Sequence, residues 1–198
     1  MAPPEPQVRD AMKLIHLNLL ALSCALASLA QATSPAPYAG QQSREIKALS
    51  GDEQADLLAG KGMGLAKAAE LNGYPGPAHV LELAGELALS AEQRARTQAV
   101  WQAMDARARA LGQQVVDAER ELDALFASKQ VTRERLGEQL DRIGVLQAQL
   151  RAVHLEAHLE QARILTPEQT TRYAARRGYA GGGAAGGGQG GHGGGHKH

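Results

Sequence analysis

A five-residue phrase is written twice in this chain, as Leu89-Ser90-Ala91-Glu92-Gln93 and as Leu165-Thr166-Pro167-Glu168-Gln169. Each copy reads as the start of a helix. The hydroxyl of Ser90 or Thr166 can accept from backbone N–H groups of the first turn, and the glutamine three residues later, Gln93 or Gln169, can reach back to the cap. Glu92 and Glu168 face the positive end of the helix dipole, and Pro167 takes the first helical position, where its missing donor costs nothing. No proline falls between the two copies. Two such caps around so long a proline-free stretch point to an all-α fold built on a helical hairpin.

The hydrophobic pattern between the caps supports this. Trp101, Met104, Ala108, Leu111, Val115, Ala118, Leu122 and Leu125 alternate three and four apart, a heptad seam on a helix predicted from Ala91 to about Ala127. At 1.5 Å per residue that helix would be roughly 55 Å long. Ser128-Lys129-Gln130-Val131 breaks it, Thr132 caps its successor, and Leu136, Leu140, Ile143, Leu146, Leu150, Val153, Ala157 and Ile164 mark the facing stripe. A connection this short makes the two helices antiparallel neighbours. Short helices flank them. Ser50-Gly51-Asp52-Glu53 is a capping box opening a helix expected to reach about Asn72, closed by Gly73 and the rigid turn Tyr74-Pro75-Gly76-Pro77. Pro77 then starts a short helix through about Ala88, and Pro167 one to about Arg177. Gly60 and Gly64, one turn apart, permit close approach of another backbone. A phosphate-cradling loop at Gly60-Lys61-Gly62-Met63-Gly64 lacks both the preceding strand and the spacing such a loop requires.

Aromatic residues are 3% of the chain, so the core must come largely from Leu and Ala and will be thin. Thinness favours an elongated or dimeric protein, because a small helical monomer buries little apolar surface alone. The balance of 21 basic against 21 acidic residues removes any net field toward nucleic acid, and the arginines are interleaved with acids, as in Asp117-Ala118-Glu119-Arg120-Glu121. Residues 1–32 read as an export signal: Lys13, the apolar run Leu14 to Leu29, and the small-x-small site Ala30-Gln31-Ala32, with Met12 as an alternative initiator. The expected location is the periplasm, without stable membrane insertion after cleavage. Cys24, the only cysteine, lies in that segment, so cleavage removes every thiol. Residues 33–48 read as a flexible leader, 49–178 as the helical domain, and 179–198 as a disordered Gly- and His-rich tail.

Signal peptide, short N-terminal helices, long antiparallel hairpin and paired Leu-Ser/Thr-x-x-Gln phrases together resemble the Spy/CpxP family, which includes heavy-metal-resistance relatives. Leu89, Ser90, Gln93 and Leu165, Thr166, Gln169 carry the resemblance, with Ser90 where the signature has Thr, over about Leu83 to Tyr173. Gly62 to Leu83 reads as an extension. The resemblance implies a periplasmic, cradle-shaped, dimeric, non-enzymatic protein. Such a protein acts as an ATP-independent chaperone for exposed apolar segments of unfolded or envelope proteins, restrains a sensor kinase, or binds metal.

The histidines offer the chemistry. His154 and His158 are one helical turn apart, so their rings project the same way, as two ligands of Zn, Ni or Cu commonly do. If hairpin partners have numbers summing to about 260, Asp105 comes within reach as an oxygen ligand. The alternative is that both rings flank the apolar stripe and make ordinary contacts. Glu156 faces elsewhere, and the His-x-x-x-His spacing lacks the adjacent Glu of a zinc protease. His192, His196 and His198 in the tail suit weak binding of the same ions or serve as a solvated end. His79 reads as a partly buried, satisfied imidazole. No cofactor is required by any pattern present, and no catalytic constellation is visible; a thin hairpin offers little concave surface to host one.

Overall fold

The computed structural model describes residues 36–179 and is all-helical there, with no strand among the described residues. The segment that reads as an export signal, with Met12 and Cys24, and the tail with His192, His196 and His198 lie outside the described residues. Residues 36–42 form turns of their own, with Ala39 N donating to Ala36 O at 2.8 Å. From Ser43 onward the helices are α1 (Gly51–Leu58), α2 (Lys67–Glu70), α3 (Pro77–Glu82), α4 (Ala91–Ala127), α5 (Arg133–Ala162) and α6 (Pro167–Arg176). None of them is long and apolar enough to cross a membrane.

The hairpin of α4 and α5 is as the periodicity predicts. Ser128 closes α4, Thr132 caps α5 by accepting from Arg135 N at 3.3 Å, and the turn residue Lys129 takes a positive φ of 60°. Cross-helix pairs fix the register: Gln161 with Thr97, Glu156 with Arg107, Gln139 with Ala118 O. Ala108, Val115, Ala118, Ile143, Leu146, Leu150 and Val153 are buried between the helices. Leu140 is not: it is 50% exposed. The seam passes through Gln139, whose Nε2 donates to Ala118 O at 2.6 Å, and this turns the neighbouring Leu140 outward.

The N-terminal layer departs from the expected pair of helices. The capping box at Ser50 is present, with Ser50 Oγ accepting from Glu53 N and Glu53 Oε2 accepting from Ser50 N at 2.8 Å, but the helix ends at Leu58 and does not continue to Asn72. Gly60 at φ +67°, Met63 at φ 45° and Gly64 at φ +81° cannot sit in one right-handed helix, and only the single turn of α2 re-forms beyond them. Gly60 needs its missing side chain, since a Cβ there would lie 3.0 Å from Arg109 Cγ and 3.2 Å from its backbone N. Gly64 has nothing within 4 Å and serves only the turn. Likewise α3 stops at Glu82, and the chain turns through Ala88 at φ 51° before the first phrase.

Ile46 and Leu57 carry this layer into the hairpin core. The closest approach is at Gly112 of α4, where an added Cβ would lie 2.0 Å from Leu57 O. A second, smaller core of Val80, Leu87, Leu165 and Tyr173 sits at the open end of the hairpin, next to both copies of the phrase.

Those copies interlock. In each, the hydroxyl accepts from the glutamine N–H and the glutamine Oε1 accepts from the cap N–H, giving two complete capping boxes. The same two glutamines then bond each other: Gln93 and Gln169 exchange amide contacts at 2.8 and 3.0 Å, while Gln93 Nε2 donates to Ile164 O at 2.9 Å and Gln169 Nε2 to Leu87 O at 3.2 Å. The expectation that both phrases lie at one end of the molecule holds, and the contact is direct.

Candidate metal centre

His154 and His158 project from one face of α5 into a cleft of about 320 Å³. The hairpin alone would not make it. The glycine-rich loop after α1 and the turn before α3 fold over α5 and supply its far walls, creating concavity that a bare hairpin lacks. Gly62 lies above His154, where a Cβ would stand 3.8 Å from Nδ1, and Gly76 lies against His158, where a Cβ would stand 2.9 Å from Cε1. Only glycine fits at 76 with the imidazole in place.

The two imidazoles differ. His158 Nδ1 donates to Tyr74 O at 2.7 Å, which commits the ring proton there and leaves the Nε2 lone pair available. A carbonyl orienting one ring nitrogen so that the other is presented is the usual support for a histidine ligand. His154 is 4% exposed, and its Nε2 has no hydrogen-bond partner among the described residues. Burial first, and the neighbouring His158 second, hold its pKa below the usual imidazole value of 6.5, so the ring is neutral and its lone pair unprotonated at neutral pH. A buried polar atom left unpaired costs free energy, of order 1–3 kcal/mol, and a bound ion is one way to satisfy it. The neutral, orphaned imidazole fits a metal ligand.

Asp105 lines the same cleft, but its carboxylate accepts from Arg109 Nε at 2.8 Å, one turn along α4. Among the described residues no three His, Cys, Asp or Glu side chains converge closely enough to share an ion. Glu156 points away, to Arg107 at 3.1 Å. His79 is half-buried with its Nδ1 3.0 Å from Glu82, at the rim.

Behind His158 stands a polar group not foreseen from the sequence. Glu70, nearly buried, accepts from Tyr173 OH at 2.6 Å and from Gly76 N at 3.2 Å, with His158 Nδ1 3.7 Å and Arg177 Nε 3.6 Å away. Burial foremost, and then the bond to Glu70, push the Tyr173 hydroxyl well above the usual phenol range. It stays protonated and donates. Thus α2, the turn before α3, α5 and α6 meet at one carboxylate. The only sequence signal was Tyr173 among polar residues on a helix otherwise without aromatics.

A family model described as heavy-metal resistance matches residues 62–172. No curated protein and no solved structure matches the chain. The match takes in Gly62 to Leu83, the segment that reads as an extension in sequence, and with it the glycine loop, the turn before α3, and both histidines of α5. On that match and on the all-helical hairpin that carries it, the chain belongs to the heavy-metal-resistance family.

Proposed function

We propose that this is an exported, non-enzymatic protein that binds a transition-metal ion in the cleft over α5, through His154 and His158, as part of heavy-metal resistance. The observation carrying the reading is the buried, neutral, unpartnered Nε2 of His154 one turn from a histidine whose own Nε2 is presented by the Tyr74 carbonyl. Export rests on the apolar run Leu14 to Leu29 and the site Ala30-Gln31-Ala32. Calorimetric titration of the full chain with Zn²⁺, Ni²⁺ and Cu²⁺ tests the site. Micromolar binding of at least one ion should survive replacement of His192, His196 and His198 by Ala and be lost when His154 and His158 are replaced. Absence of binding, or its confinement to the tail, overturns the cleft assignment.

A second reading, capture of exposed apolar segments of unfolded envelope proteins by a dimer, is favoured by large apolar side chains at the surface. Phe126 and Leu140 are each 50% exposed near the hairpin turn, and Leu71 is 58% exposed on the N-terminal layer. Purified protein at equimolar ratio should then slow the aggregation of several denatured clients. Unchanged light scattering would remove this reading.

A further inference from the structure

The donors that the cleft leaves uncommitted are all uncharged, and one of them is sulfur. Met104 lines the same cleft as His154 and His158. Its position follows from the register of the hairpin: Thr97 and Gln161, both fully buried, join across the seam at 3.2 Å. Met104 lies seven residues after Thr97, and His154 seven before Gln161. One heptad along an antiparallel pair returns both chains to equivalent faces, so Met104 and His154 occupy facing positions of the seam, and both line the cleft. Met104 is only partly buried, packed against the edge of the main core, so part of its side chain stays open to the cleft.

The carboxylates nearby are spoken for. Asp105 is held by Arg109, and Glu70 by Tyr173 and Gly76. Lys61 lines the rim with its ammonium held by Asp56 Oδ1 at 2.6 Å, so that carboxylate too is engaged. A divalent ion entering this cleft would bring two charges against a single lining carboxylate, Asp105, that Arg109 already pairs, whereas a monovalent ion brings one, and the desolvation penalty rises steeply with charge. Thioether and imidazole are the donor pair that suits soft monovalent ions, while carboxylate and water suit hard divalent ones. Trp101 and Pro77 in the walls make the cleft still less suited to a strongly hydrated ion.

We propose that the cleft is selective for a soft monovalent cation, Cu(I) or Ag(I), held by the imidazoles of His154 and His158 and the thioether of Met104. This rests on the metal-binding reading above and sharpens it to an ion class. The test uses the full-length chain with Cys24→Ser and with His192, His196 and His198 replaced by Ala, which removes the imidazole donors of the tail and the export-segment thiol. Cu(I) affinity is measured by competition with a chromophoric Cu(I) chelator under reducing, anaerobic conditions, and Ag(I) and Zn(II) by calorimetry. A single equivalent of Cu(I) or Ag(I) should bind at least about 100-fold more tightly than Zn(II), and Met104→Leu should weaken the monovalent ions by about 10-fold or more while leaving Zn(II) within about 3-fold. In protein labelled at the methionine methyl carbons, Ag(I) should shift the Met104 resonance. Retention of full Cu(I) affinity in Met104→Leu, or an Ag(I)-induced shift confined to Met1, Met12 or Met63, overturns the proposal. If Zn(II) or Ni(II) still binds and still requires His154 and His158, the metal-binding function stands and only the ion class fails. If no ion binds, both fail. The circular dichroism of each variant, unchanged from its parent, separates loss of a ligand from loss of the fold.

Discussion

At the scale of single residues, two glycines with similar sequence surroundings have opposite meanings. Gly144 of α5 has open space where a Cβ would go, whereas at Gly112 of α4 that Cβ would sit 2.0 Å from Leu57 O. Leu57 O already accepts from Gly60 N at 3.0 Å in the turn that ends α1, so the carbonyl cannot move without undoing that turn. Gly112→Ala should therefore cost about 3 kcal/mol, the upper part of the range for overpacking, while Gly144→Ala should be neutral or slightly stabilising because alanine is the better helix former. Urea denaturation of the two variants checks the pair, and equal midpoints would show that α1 does not dock as described. Nothing local in the sequence marks Gly112, because its constraint comes from a chain segment far away in sequence. The histidines were legible for the opposite reason: a spacing of four on a helix is a local fact. What presents them, Tyr74 O, Gly76 and Glu70, was not, since each arrives from a different element.

At the scale of elements, legibility follows the caps. All three capping boxes were readable, because cap and glutamine or glutamate are three residues apart and form within one turn. Where helices end was harder to read: Gly60 was visible as a site of close approach, yet only contact with Arg109 shows that it adopts φ +67° and stops α1. The caps also carry more than their own helices. Gln93 and Gln169 each close a box and then bond each other and a distant carbonyl, so one amide ties α4 to the end of α5 and the other ties α6 to the segment before α4. Replacing either glutamine by Ala removes its own bonds and leaves the partner amide short of one, for a cost of about 2 kcal/mol. Once one is gone the second has less to lose. The double variant should fall short of the sum by about 1 kcal/mol in a double-mutant cycle, and strict additivity would show that the two phrases act as independent caps.

At the scale of the whole molecule, the cleft exists because the N-terminal layer is folded over the hairpin, and the charge state of His154 records whether that layer is closed. Closure buries the ring, and Lys61, His79, Asp105 and His158 line the same space. Burial lowers the His154 pKa below 6.5, so the folded state binds this proton less readily than the unfolded one. For a base with a depressed folded pKa the stabilising contribution is complete above the unfolded value and declines as pH falls through it toward the folded value. In chelator-treated protein, the thermal midpoint should accordingly be level near neutrality and drop as pH falls below about 6.5. The first protection to be lost in hydrogen exchange should be at residues 60–64 and at Tyr74 and Gly76, which cover the two rings, and not along the α4–α5 seam. His154→Leu removes the titrating group while keeping an apolar side chain at the site, and should flatten the decline. Tyr173→Phe, which loosens α6 through Glu70, should lower the midpoint at every pH and leave the slope unchanged. If His154→Leu keeps the full acid dependence, the layer is held by groups other than this ring, and the cleft is not closed over it in solution.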